Sequence, residues 1–305
     1  MSSILTNTSA MNALATMRNI NSSLETTQGR ISTGLKVESS KDNAAYFQIS
    51  ETMKSDSSMY SSINEGLTLT KNSLSTARLG AENFQELASQ FTDRVAFAQG
   101  ATGGLDEIEE ELLGLVEEMS VTIAQSTFNG DDLVNAAGTV GTAGSIDAAT
   151  GIVTKSVGVT TTETAVTGIT RAGGSFGATT TTFDTTDLSA LLADFTLIAT
   201  GFGTNGSAAT GQAFLEGALS SAESLQADAI STTTSLGVAE KTIENQQSFL
   251  TSLVENIDSG VGAMVDANME EEAARLQALQ VQQQLATQSL SIANQAPQNI
   301  LSLFR

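Results

Sequence analysis

INEGLTLTKNSLSTARLGAENFQELASQFTDRVAFA, residues 63–98, is the stretch on which the fold turns. Its small and apolar side chains fall at Ile63, Leu67, Thr70, Leu74, Ala77, Ala81, Phe84, Ala88, Phe91, Val95 and Ala98. The steps alternate four and three without interruption, the mark of a helix with a continuous buried seam. The run contains no proline, and its glycines are Gly66 and Gly80. Carried back through Met59, Met53 and Ile49 to a cap at Asp42 or Asn43, it predicts one helix of about 55 residues, roughly 80 Å long. Such a helix belongs in a bundle or filament rather than a small globule.

A second run keeps the same rhythm far away in the chain, from Leu215, Ala218, Ala222 and Leu225 through Leu236, Ile243 and Leu250 to Ile257. The two runs are natural partners along one seam. Between them a shorter helix is predicted on Leu105, Ile108, Leu112, Leu115 and Met119, with Asp106, Glu107, Glu109 and Glu110 near its positive N-terminus. Residues 102–104 then form the turn of an antiparallel hairpin. Three helices with apolar seams make a rod-like bundle.

Both ends of the chain show a thinner pattern. Leu14, Met17, Leu24, Ile31 and Leu35 share a seam with Ala10, Asn21 and Gln28. Val261, Val265, Leu276, Leu279, Ala286 and Leu290 share one with Asn268, Glu272 and Gln283. Polar seam positions weaken a coiled coil and specify its register. These end helices are expected to be poorly ordered in a free monomer, because a short helix with a thin buried face is marginal in water.

Residues 138–211 differ from both flanks. They are rich in Gly, Thr and Ala, with Lys155 and Arg171 as their cations. Alternation over 153–159 predicts a half-buried strand, and TTETAVTGIT has the composition of another. A short helix is expected over 187–195, capped by Thr186 or Asp187. Recurring Val, Ile and Phe favour a small β-containing domain over a disordered linker. The organisation expected is 1–42, an N-terminal helix and connection; 43–137, rod helices and turn; 138–211, a variable surface segment; 212–258, the returning rod helix; 259–305, a C-terminal helix.

Composition narrows the function. The chain has 305 residues, 13 Lys plus Arg, 34 Asp plus Glu and a formal net charge of -21. That balance argues against nucleic acid or an anionic membrane as the main partner. Cys, His and Trp are all absent. The first absence excludes disulfides, thiolate metal sites and Cys nucleophiles; the second removes the usual general base and metal ligand. Ser and Thr make up roughly a quarter of the chain. Glu109, Glu110, Glu111, Glu117 and Glu118, and likewise Glu270, Glu271 and Glu272, read as solvated helix faces rather than metal sites, which need ligands converging from several elements. Asn129-Gly130 reads as a tight turn, and GTVGTAGSID and GFGTNG as loops. No catalytic constellation, cofactor site or metal site is expected. The opening MSSILTNTSAM lacks a charged region followed by an apolar one, so no cleaved signal is expected, and no apolar run reaches the roughly 20 residues of a membrane span.

ILTNTSAMNAL and RISTGLKVESSKDNAAYFQIS near one end, and IANQAPQNILSLFR at the other, closely resemble the terminal signatures of bacterial flagellins of the alphaproteobacterial type. TFNG matches the family's turn after its second inner helix. The resemblance covers about 1–137 and 212–305. It implies a mainly α fold: a long antiparallel bundle or coiled-coil rod with paired N- and C-terminal helices and a small β-containing central domain. It implies a filament subunit that self-assembles for swimming motility, exported unfolded by a flagellar type III apparatus. It also implies as partners further copies of the chain, sister flagellins, an export chaperone, and hook-associated and cap proteins. Carried over by position, Ile4, Leu5, Leu14, Leu24, Ile31 and Leu35 form the inner N-terminal helix. Leu276, Leu279, Leu285, Leu290, Ile300, Leu301 and Leu303 pack with it in the polymer. A hook–filament junction protein resembles the same signatures, and a carboxylate or Ser/Lys hydrolase is the reading from another class.

Overall fold

The computed structural model describes residues 7–101, 103–171 and 176–303. Helices dominate: α1 (Thr8–Thr33), α2 (Ala44–Ala98), α3 (Leu105–Gln125), α4 (Leu188–Ala199), α5 (Phe202–Gly206), α6 (Gly211–Val265) and α7 (Met269–Leu303). The fold class is the one expected from the seams. α2 has 55 residues and is capped by Asn43, whose Oδ1 accepts from the amides of Ala45 and Tyr46 at 3.2 Å.

The chain divides into two compact units. One holds residues 59–252. In it α2 and α6 run antiparallel, as the cross-links Asn64 to Thr251, Thr68 to Gln247, Lys71 to Glu244 and Arg78 to Glu240 require. α3 returns antiparallel along α2, with Arg94 paired to Glu111 and Gly80 set against Ser126. Along the α2 seam Leu67, Leu74, Ala77, Ala81, Phe84, Ala88, Phe91, Val95 and Ala98 are buried, while Ile63 and Thr70 are half-buried. The α6 seam is equally well kept by Leu215, Ala218, Ala222, Leu225, Ala229, Leu236, Ile243 and Leu250.

The central region contains antiparallel pairs: β1 (Val140–Thr142) with β4 (Val157–Gly158), β2 (Ser145–Ile146) with β3 (Val153–Thr154), and β5 (Thr162–Thr170) with β6 (Gly177–Asp184). The strand expected over 153–159 is in fact β3 and β4, each with a different partner, interrupted at Lys155 and Ser156. The cause is a buried carboxylate: Asp194 of α4 accepts from the Ser156 amide at 2.9 Å and from its hydroxyl at 2.7 Å. GFGTNG, expected to be a loop, includes α5. Glu109, expected on a solvated face, instead accepts from the amides of Gly201 and Gly203 at 2.9 and 2.8 Å and so caps that short helix.

The same region is bonded into the rod. Phe195 of α4 stacks edge-on against Phe84 and Phe91, with ring centroids 6.0 and 5.0 Å apart, and Phe202 meets Phe214 at 5.8 Å. Gly151, at φ 68°, lies against the Phe214 carbonyl, where any Cβ would collide. Asp187 caps α4 through the Ala190 amide, as anticipated, although the helix continues to Ala199. Asn129 and Gly130 both have positive φ and close the expected tight turn.

Candidate assembly surface

The second unit holds residues 1–58 and 253–305. Its helical start is Asn7, whose Oδ1 accepts from the Ala10 amide. α1 ends at Gly34, which takes the left-handed conformation at φ 74° and returns its amide to the Arg30 carbonyl. The connection after it is bound to the end of α6: Leu35 bridges Asp266, and the amides of Lys36 and Val37 both donate to the Val265 carbonyl. Val37, Val261 and Val265 form a small buried cluster with Leu35, Phe47 and Met53 around it. Asn268 then caps α7, and Glu270, Glu271 and Glu272 occupy its first turn, where the helix dipole favours acids.

α1 and α7 pair antiparallel. The ties are Asn7 to the Ala293 carbonyl at 2.8 Å, Asn21 to Gln283 at 2.8 Å and Arg30 to Glu272 at 3.0 Å. On α7 the half-buried or buried positions among the described side chains are Glu272, Leu276, Leu279, Gln283, Ala286, Leu290 and Ala293, the seam the sequence predicts, extended by the last of them. On α1 the phase differs. Ala10, Met17, Leu24 and Ile31 face inward as expected, but the positions between them are Ala13, Ile20 and Thr27, not Leu14, Asn21 and Gln28. Taking three residues before four turns Ile20 inward and leaves the amide of Asn21 outside. Among the described residues of α1 and α7, the fully buried ones are Thr27 and Glu272, both polar.

The residues carried over for polymerisation separate into groups. Leu24, Ile31, Leu276, Leu279 and Leu290 are half-buried along the pairing, and Leu35 packs on the valine cluster. Leu14 is 39% exposed and Leu285 57%, and Met11, Val281 and Ile292 are exposed as well. Ile300, Leu301 and Leu303 lie on the α7 backbone, with side chains outside the described residues; Ile4 and Leu5 lie outside altogether. The sequence places Glu272 both on the C-terminal seam and in a run of acids expected to be solvated; the structure keeps the seam position and adds the Arg30 partner, which the sequence does not show. The Glu272 side chain is 8% exposed. The signal available was its place on the seam, four positions before Leu276 and seven before Leu279.

No group of three or more Asp, Glu, His or Cys that could hold a metal occurs among the described residues, and no described helix is long and apolar enough to cross a membrane.

Residues 4–139 match the bacterial flagellin N-terminal helical region, and residues 219–304 match the C-terminal helical region of the same family. A flagellin of Brucella melitensis is 36% identical over 306 aligned positions, covering all of both chains. The chain belongs to the bacterial flagellins. This flagellin is therefore a structural subunit of the flagellar filament, which lies outside the cell. Flagellin C of Rhizobium meliloti is 35% identical and flagellin A 31%, each over the full length of both chains. The alignment with flagellin A extends over 404 positions, so longer members accommodate many more residues than this chain has. Residues 140–218, which hold the described strands and α4 and α5, lie between the two family matches.

Proposed function

We propose that this flagellin polymerises through α1 and α7, which give up exposed apolar surface to neighbouring subunits, while residues 43–137 and 212–258 supply the stable rod. The observation that carries this reading is exposed apolar surface on the terminal helices: Met11, Leu14, Val281, Leu285 and Ile292 are exposed, and among the described residues the seam between α1 and α7 fully buries no apolar side chain. Exposed apolar surface on a soluble helix pair is the physical signature of an unfilled contact. Assembly then stabilises the hairpin by covering what the monomer leaves open.

In this reading Ile4, Leu5, Leu14, Leu24, Ile31, Leu35, Leu276, Leu279, Leu285, Leu290, Ile300, Leu301 and Leu303 are the polymerisation residues. Segments 1–42 and 259–305 are the assembly elements, and 138–211 is the outward segment, with α4 and α5 lending their buried faces to the rod. The partner is another copy or a sister flagellin, with hook-associated and cap proteins at the filament's ends. An export chaperone covers the C-terminal segment before secretion by the flagellar type III route. The subunit acts by assembly and carries no catalytic step.

The test is Leu301→Asp with Leu303→Asp. Burying one such side chain contributes about 1.5–3 kcal/mol, repeated at every subunit. The double variant is expected to lose seeded polymerisation, followed by light scattering, while its helicity and melting stay near those of the unaltered chain. Filaments formed at the normal rate would contradict the reading.

A further inference from the structure

Within the unit of residues 59–252, α2, the turn at 130–133 and the β5–β6 hairpin enclose a cavity of about 260 Å³. Asp131 and Asp132 line it from the turn, Glu163 and Phe183 from opposite positions of β5 and β6, and Ser73 from α2. Three acids and no Lys or Arg surround the space. Lys71, two residues before Ser73, is paired with Glu244 at 2.9 Å. The Asp132 carboxylate is already engaged by the amides of Val134, Ala136 and Ala137 at 3.3, 2.8 and 3.0 Å. Asp131 and Glu163 are exposed and make no ion pair or side-chain hydrogen bond among the described residues.

Ser73 is the independent sign of a ligand. It is 3% exposed, and its Oγ is buried with no hydrogen-bond partner among the described residues. Thr68 and Thr76 of the same helix return their hydroxyls to the carbonyls of Asn64 and Asn72, each at 2.9 Å, as helical hydroxyls commonly do. Ser73 does not, and it lines the cavity. A buried hydroxyl is costly to leave unpaired, so a group entering the cavity should meet it. The acids make that group a cation. It is not a bare metal ion, because no three acidic side chains among the described residues stand close enough together to hold one. The cavity is also larger than an ion and smaller than the usual pocket for a drug-sized molecule. An alkylammonium meets these conditions. It has donors for Ser73 Oγ and for charge-assisted bonds to carboxylates, and Phe183 offers a ring to its charge or its methylenes. A single ammonium leaves two of the three carboxylates uncompensated, whereas two or three on one chain match them.

We infer that this cavity binds a small aliphatic polyamine, with one ammonium on the Ser73 hydroxyl and another at the Asp131 and Glu163 carboxylates, and that the bound ligand ties the hairpin and the turn to α2. The inference does not depend on the assembly reading above.

Isothermal titration of the full-length monomer with spermidine, at fixed ionic strength, tests this. A single saturable site is expected, and the melting midpoint should rise as spermidine is added. Asp131→Asn with Glu163→Gln changes two exposed positions and should leave helicity unaltered. It should weaken binding by about tenfold or more, the change that roughly 1.4 kcal/mol produces. Ser73→Ala should weaken binding severalfold, yet leave the ligand-free chain at least as stable as before, because the hydroxyl has no partner to lose. The amide of Nα-acetyl-lysine, which carries one ammonium, should bind at least about tenfold more weakly than spermidine. Magnesium chloride at matched ionic strength should not displace spermidine. Absence of saturation overturns the proposal, as does unchanged affinity in the double carboxylate variant. So does a monoamine that binds as tightly as spermidine, or displacement by magnesium. A Ser73→Ala chain that loses stability and binds spermidine unchanged would show that the cavity holds water instead.

Discussion

Between Leu67 and Ala98, α2 turns inward a row of apolar side chains, most of them with no exposed surface at all; over its 26 residues α1 fully buries Thr27 and nothing apolar. Both helices follow the same alternation of threes and fours. The difference lies in what occupies the seam and in how many elements close over it. α2 is covered by α3, α4 and α6, and Phe84, Phe91 and Phe195 interlock there. α1 has α7 for its partner, with Asn, Gln, Thr and Glu among the contacts. Periodicity alone therefore predicts that a helix has a face, not that the face is satisfied within one chain. A subunit that must stay soluble before assembly needs one seam of each kind.

Truncating one side chain on each seam should separate them most sharply. Phe195→Ala removes a fully buried ring and is expected to cost about 3–5 kcal/mol, read as a large fall in the thermal midpoint of the monomer. Leu24→Ala, at a half-buried seam position, should cost ~1 kcal/mol or less in the same melt while raising the concentration needed for assembly. Equal losses in the two melts would erase the distinction.

A smaller effect is expected where α3 ends against α2. A Cβ on Gly80 would overlap Ser126 Oγ. Gly80→Ala should therefore destabilise by about 1–3 kcal/mol through overpacking, and Ser126→Gly in the same chain should recover most of it. Denaturant midpoints of the two variants check this; absence of recovery would place the strain elsewhere.

The smallest effect is one of pH. Burial pushes the Asp194 carboxyl above the usual aspartate range, against hydrogen bonds from Ser156 that favour its charged form. The folded chain thus holds this proton more tightly than the unfolded chain. Its contribution to stability is complete at low pH and declines as pH rises through the folded value. Relative to Asp194→Asn, the unaltered chain should gain stability as pH falls from neutral through the carboxylate range. The gap should stop changing once the unfolded carboxyl is protonated too. A gap that ignores pH, in denaturant titrations across that range, would contradict the assignment.

Much of the rod was legible because its contacts are periodic. The α2 cap at Asn43, the α6 seam and the Asp187 cap of α4 all follow from local spacing and short polar side chains. What escaped were bonds between residues distant in sequence. Nothing near Glu109 announces that it caps α5 at Gly201, and nothing near 156 announces Asp194. The α1 phase was ambiguous for a different reason: Leu14 and Ala13 both suit a seam, and the choice rests on the neighbouring Ile20 and Asn21. Along the terminal helices the α7 seam could be read, Glu272 included, while its partner Arg30, distant in sequence, could not.

The central claim is that the rod is stable in the monomer and the terminal hairpin becomes so on assembly. Hydrogen exchange on monomer and filament, resolved along the chain, tests it most directly. Amides of α2 and α6 between residues 67 and 250 should be protected in both states, whereas those of α1 and α7 should exchange fast in the monomer and slow by orders of magnitude in the filament. Terminal helices already as protected as the rod in the monomer, or no slower in the filament, would contradict the account.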